Sequence, residues 1–144
     1  MSEANLWEWL RDVALPLAHY SRIESPTSPG FPDVHCQIAP GCSPTLELKF
    51  SENPNSQYPF KDKKGMRRSQ IKWIRENIRS GGTVWIIAEV TPHIYIIPGK
   101  FAGDINGATH KQLMEMAYDV VIKNEPEMAA EILARILRRR KPLD

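Results

Sequence analysis

Two nearly unbroken apolar runs, TVWIIAEV at 83–90 and HIYIIP at 93–98, are separated only by Thr91 and Pro92. Runs of that length and composition are expected of strands covered on both faces. Such strands need helices on either side of their sheet. Helical periodicity starts near Ser2, with Leu6, Leu10, Val13 and Leu17 on one face and Pro16 placed to kink or end it. A second helix is expected over 66–80, where Ile71, Ile74 and Ile78 form a stripe and Gly81-Gly82 is the stop. Two more are expected at about 109–123 and 126–140, with Pro126 suited to a first helical turn. DVHCQI and TLELKF read as two shorter, alternating strands. Between these elements, 24–32 is a Pro/Gly/Ser loop and 51–65 a long polar loop of the kind that carries function. The order is helix, strand pair, helix, strand pair, helices. It predicts an α/β fold, a mixed sheet flanked by helices, in one domain over 1–144.

No apolar run reaches the ~20 residues of a membrane-crossing helix. The start, MSEANLWEWLRD, is acidic and amphipathic, unlike a signal peptide, so a cytoplasmic location is expected. In that compartment Cys36 and Cys42 are expected as thiols, and two cysteines with only His35 nearby do not make a zinc site. The net charge of +2 does not announce a general nucleic-acid binder, but its distribution is uneven. Lys61, Lys63, Lys64, Arg67, Arg68, Lys72, Arg75 and Arg79 crowd one segment, and Arg135 with 138–141 closes the chain. Clusters of this kind point to local contact with an anion.

The two short strands carry the most chemistry. If they form one hairpin centred on Pro40, paired residues have numbers summing to eighty. Asp33 then faces Glu47, and His35 faces Thr45. With a side-chain period of two, Asp33, Glu47 and Lys49 share one face, and Val34, Cys36, Leu46, Leu48 and Phe50 the other. Directly opposed carboxylates, with Cβ atoms ~5 Å apart, suit one hard divalent ion such as Mg²⁺, for which Mn²⁺ would substitute. An ammonium one pleat along would orient or help activate a bound water, or stabilise a pentacovalent phosphate. On the following helix, Arg68, Lys72, Arg75 and Arg79 form a stripe roughly opposite the isoleucines, with Gln70 at the edge of the apolar face.

Pro32-Asp33, Glu47-Leu48-Lys49 and RRSQIKWIRENIRSGGTVWII together resemble the PD-(D/E)xK nuclease superfamily. More narrowly, they resemble its VRR-NUC-like and phage Holliday-junction-resolvase-like members. The likeness extends upstream through Arg22-Ile23-Glu24 and Gly30, and covers about 22–98. The helical stretch at about 109–140 lies beyond it, and the Val-Arg-Arg run that names one subgroup is absent. The resemblance implies a restriction-endonuclease-like mixed sheet of four to five strands. It implies that Asp33, Glu47 and the Leu48 carbonyl bind the metal, that Lys49 is catalytic, and that Gln70 points into the site. Glu24 would contribute to a second metal position. The expected activity is Mg²⁺-dependent hydrolysis of DNA phosphodiesters, with branched DNA as substrate and a homodimer as the working state. Two rivals keep the same residues: an exonuclease or nicking repair enzyme, and a DNA-binding protein with a vestigial acidic pair.

Overall fold

The structure is a computed structural model and describes residues 3–14, 19–22, 34–37, 42–51 and 55–139. Its elements in chain order begin with α1 (Glu3–Ala14), β1 (His19–Arg22), β2 (Val34–Gln37), β3 (Thr45–Ser51) and α2 (Arg68–Arg79). They continue with β4 (Val84–Val90), β5 (His93–Pro98), α3 (His110–Met116), β6 (Asp119–Ile122) and α4 (Pro126–Leu137). Short 3₁₀ turns at Asp62–Lys64 and Gly99–Asp104 precede α2 and α3.

The expected mixed sheet flanked by helices is what the chain forms. Six strands pair in sequence order, β1 to β6. Every neighbouring pair is antiparallel except β3 and β4. Parallel neighbours cannot be joined by a tight turn, and the crossover here contains α2. That crossover is the reason a helix lies over β3.

β4 explains the unbroken apolar run. Trp85 and Ile87 face a core shared with Leu6 and Leu10 of α1 and Leu133 and Ile136 of α4. Val84, Ile86, Ala88 and Val90 face a second core with Ile74 of α2 and Leu113 of α3. With both faces covered, alternation disappears from the sequence. α2 ends where expected: Gly81 adopts φ 93, in the left-handed region that glycine enters without steric cost, and Gly82 N–H caps the Asn77 carbonyl at 2.9 Å. α1 stops at Ala14, ahead of Pro16.

One expected helix is shorter than its periodicity suggested. The 109–123 stretch starts as expected, with the Thr109 hydroxyl accepting from Gln112 N–H, but α3 stops at Met116. Residues 119–122 instead form β6, in register with β5 from Ile96↔Asp119 to His93↔Ile122. Val120, Val121 and Ile122 are consecutive β-branched residues whose stiff side chains fit a pleated surface better than a helix. Pairing also satisfies backbone groups along β5 that would otherwise form an open edge. α4 starts at Pro126 as expected and packs against α1 and β6. Among the described residues no helix is long and apolar enough to cross a membrane.

Cys36 and Cys42 are both buried thiols, and Cys42 Sγ donates to the Leu137 carbonyl at 3.2 Å. Burial, and secondarily the neighbouring Cys42, pushes the Cys36 thiol from 9.0 up to about 12. The native state therefore keeps a proton that the unfolded chain releases above pH 9, so this contribution to stability is intact below pH 9 and is lost as pH rises towards 12. Cys36→Ala should flatten the alkaline fall in unfolding free energy by about 1.4 kcal/mol per pH unit between those limits. Urea titrations at a series of pH values would read it, and an unaltered slope would count against a protonated, buried Cys36.

Candidate active site

The hairpin register matches the sequence expectation where it is described: Val34 pairs with Leu46 and His35 with Thr45, both sums of eighty. Val34 and Cys36 are buried while His35 and Gln37 are exposed. Asp33 and Glu24, two of the expected carboxylates, lie outside the described residues.

β3 behaves differently from a strand with one wet face. All seven of its residues are buried: β2 pairs with its start and β4 with its whole length, α1 packs on one face, and the 3₁₀ turn at Asp62–Lys64 and Gln70 of α2 reach the other. Leu46 and Leu48 enter the core beneath α1 and α4. Glu47 and Lys49 therefore point the other way, toward α2, at 1% and 6% exposure. Lys49 Nζ stands 3.7 Å from Glu47 Oε1.

Gln70 joins them. It occupies the third position of α2 and is buried. Its Oε1 accepts from Lys49 Nζ at 3.1 Å and from the Arg67 backbone N–H at 2.9 Å. Its Nε2 donates to Glu47 Oε1 at 2.7 Å. This amide orientation is forced by its neighbours, since the opposite one would set an NH₂ against an ammonium and a backbone N–H. A side chain that caps its own helix thus also fixes two charged groups on the strand beneath.

A buried charged cluster of this kind adds little net stability. Two charges ~4 Å apart attract by about 4 kcal/mol at an effective dielectric of 20, but removing both from water costs several kcal/mol per ion. An apolar pair of the same volume would hold β3 to α2 at least as well. Ser51, next on the same face, is fully buried, and its Oγ has no hydrogen-bond partner among the described residues. An unsatisfied buried hydroxyl costs about 1–3 kcal/mol and is expected where a site has something else to bind. Ser51 escaped the sequence reading, although its spacing of two from Lys49 was the available signal.

No protein-family model matches the chain, and no curated protein matches it. The functional reading therefore rests on the residues themselves.

The expected anion-binding residues divide into two sets. Arg68, Lys72, Arg75 and Arg79 are all exposed on the outer face of α2, while Ile74 is buried and Ile71 and Ile78 pack against the core. Lys61, Lys64 and Arg67 are exposed on the segment leading into α2, and the Lys63 side chain lies outside the described residues. Trp85 is buried and Trp73 partly so, both in the hydrophobic layers. Among the described residues no three His, Cys, Asp or Glu side chains gather as a metal-ligating group. Glu47 is the one expected carboxylate ligand within them.

Proposed function

We propose that this chain is a metal-dependent DNA endonuclease of the PD-(D/E)xK kind. The observation that carries the reading is the buried Glu47–Gln70–Lys49 cluster, which joins a central strand to a helix with a basic outer face. Chain connectivity keeps Asp33 next to Val34, whose partner Leu46 precedes Glu47. The donors are those a hard cation takes: two carboxylates, Asp33 and Glu47, and the Leu48 carbonyl. Mg²⁺, or Mn²⁺ in its place, would supply charge stabilisation at the phosphoryl oxygens and a more acidic bound water.

The protein's own groups do the rest. Lys49 carries its ammonium beside Glu47, where it can orient the attacking water or offset charge building on the phosphate. Gln70 holds both side chains in place before substrate arrives, a preorganisation that lowers the reorganisation needed for reaction. Burial under α2 keeps bulk water from screening these charges. Branched DNA, a homodimer that doubles the site, and action in the host cytoplasm belong to the same proposal. The direct test is cleavage of linear, nicked, flapped and four-way DNA with Mg²⁺. Cutting of none of them by folded protein would end the nuclease reading.

The α2 stripe makes a separate expectation. Replacing Arg68, Lys72, Arg75 and Arg79 by Gln in pairs leaves the isoleucine face alone. If these side chains track phosphates, each lost contact should flatten the slope of log K against log salt by ~0.9 on duplex DNA. Affinity should fall alike for all sequences, because phosphate contacts position but do not read bases. An unchanged slope in the folded quadruple variant would remove the helix from the DNA path.

A further inference from the structure

The segment 55–67, between β3 and α2, is polar in sequence but is held firmly. Phe60 is fully buried in the core beneath α2, with Met66 beside it. Asn106 grips both backbone groups of Met66: its Oδ1 accepts from Met66 N–H at 2.6 Å, and its Nδ2 donates to the Met66 carbonyl at 2.8 Å. The ring of His110, on α3, hydrogen-bonds the Ser56 carbonyl through Nε2 at 3.0 Å. Gly65 lies so close to Asn106 and the Phe60 carbonyl that a Cβ there would collide with both. Lys61 N–H and Gly65 N–H close turns onto the Tyr58 and Asp62 carbonyls. Asp62 itself adopts φ 60, a left-handed conformation uncommon outside glycine. A mere connection between two elements requires none of this.

These contacts hold open a cavity of about 590 Å³, lined by Ser56, Tyr58, Pro59, Lys61, Asp62 and Lys64. Tyr58 is 39% exposed, one of three large hydrophobic side chains exposed among the described residues. Lys61 and Lys64 are exposed beside it, and with Asp62 the lining carries a net positive charge. The 3₁₀ turn packs against β3, and two residues after Lys64 the clamped Met66 leads into Arg67, whose N–H bonds Gln70. The same segment that orders the cavity therefore orders the Gln70 node of the candidate active site.

We infer that this cavity binds an unpaired nucleotide, its base stacked on Tyr58 and its flanking phosphates held by Lys61 and Lys64. An aromatic ring beside cations is the arrangement that takes up single-stranded nucleic acid, because every base has a stacking face and each phosphate one charge. A duplex keeps its bases inside, so only the lysines could engage it. The inference rests on the nucleic-acid reading above and narrows it to DNA with unpaired nucleotides beside the cut.

The test is fluorescence anisotropy of the 144-residue chain with labelled oligo(dT) and with a duplex of the same length, in EDTA so that nothing is cut. Tyr58→Ala should weaken oligo(dT) binding about tenfold and leave duplex binding unchanged. Tyr58→Phe, which keeps the ring, should restore it. Lys61→Gln and Lys64→Gln should each flatten the oligo(dT) salt slope by ~0.7. Equal loss on both DNAs, no loss on either, or duplex binding without oligo(dT) binding overturns the inference and leaves the nuclease reading standing. A wild-type protein that binds neither DNA overturns the inference, and the Mg²⁺ cleavage assay on branched DNA then decides the nuclease reading separately. Melting curves of the Tyr58 variants separate a lost contact from a lost fold.

Discussion

Glu47→Gln is expected to reduce Mg²⁺-dependent DNA cleavage on the order of 10³-fold, equivalent to about 4 kcal/mol of barrier. The substitution keeps volume and leaves an oxygen to accept from Gln70 Nε2, now 2.7 Å from the carboxylate. What it removes is a charge facing both the proposed cation and Lys49, 3.7 Å away. Because Gln70 Oε1 still accepts from Lys49, the ammonium is not stranded and the fold should survive. Asp33→Asn should lose activity to a similar degree. Lys49→Ala separates the roles: turnover should collapse while calorimetry still detects Mg²⁺, since removing a neighbouring cation does not weaken a carboxylate's hold on a metal. Folded Glu47→Gln protein with full activity would sink the metal-site proposal.

Much of this arrangement was legible because it depends on local pattern. The register of β2 and β3, with Val34 opposite Leu46 and His35 opposite Thr45, follows from an alternation that admits few alternatives. The β4 and β5 runs and the Gly81 stop mark their elements within a residue or so. What escaped the sequence depends on partners far along the chain. β1, His19–Arg22, has little apolar alternation and exists because the edge of β2 offers it a ladder. β6 follows a helix whose periodicity runs on into it, and only β5 decides between the two. Glu47 and Lys49 read as one face of an ordinary strand. That the face is dry depends on α2, more than twenty residues away. The grip of Asn106 on Met66 and of His110 on Ser56 is likewise invisible locally, so the described part of a loop that reads only as long and polar is pinned.

Lys123→Met is expected to cost about 3 kcal/mol of stability. Glu89, near the end of β4, is completely buried, in a sheet layer otherwise filled by apolar groups. Lys123 Nζ lies 3.1 Å from each of its oxygens, and Thr91 Oγ1 donates to Oε2 at 2.6 Å. Methionine keeps most of the lysine stem but withdraws the ammonium, leaving a buried carboxylate with one hydroxyl donor. Breaking a buried pair from one side costs about 3–5 kcal/mol, and the lower end applies because the lysine side chain is 23% exposed. The backbone contacts of this residue, from Trp9 Nε1 to its carbonyl and from its N–H to the Pro92 carbonyl, survive the substitution. The effect should also be asymmetric. Glu89→Gln frees an ammonium that can turn to water, so it should cost less, and adding it to Lys123→Met should recover most of the loss. Urea unfolding of the two single variants and the double would give the coupling directly. Equal single losses that simply add would mean the pair is not a unit. Because the contact ties the end of β6 to β4 across β5, amide exchange at Val121 and Ile122 should quicken first in Lys123→Met.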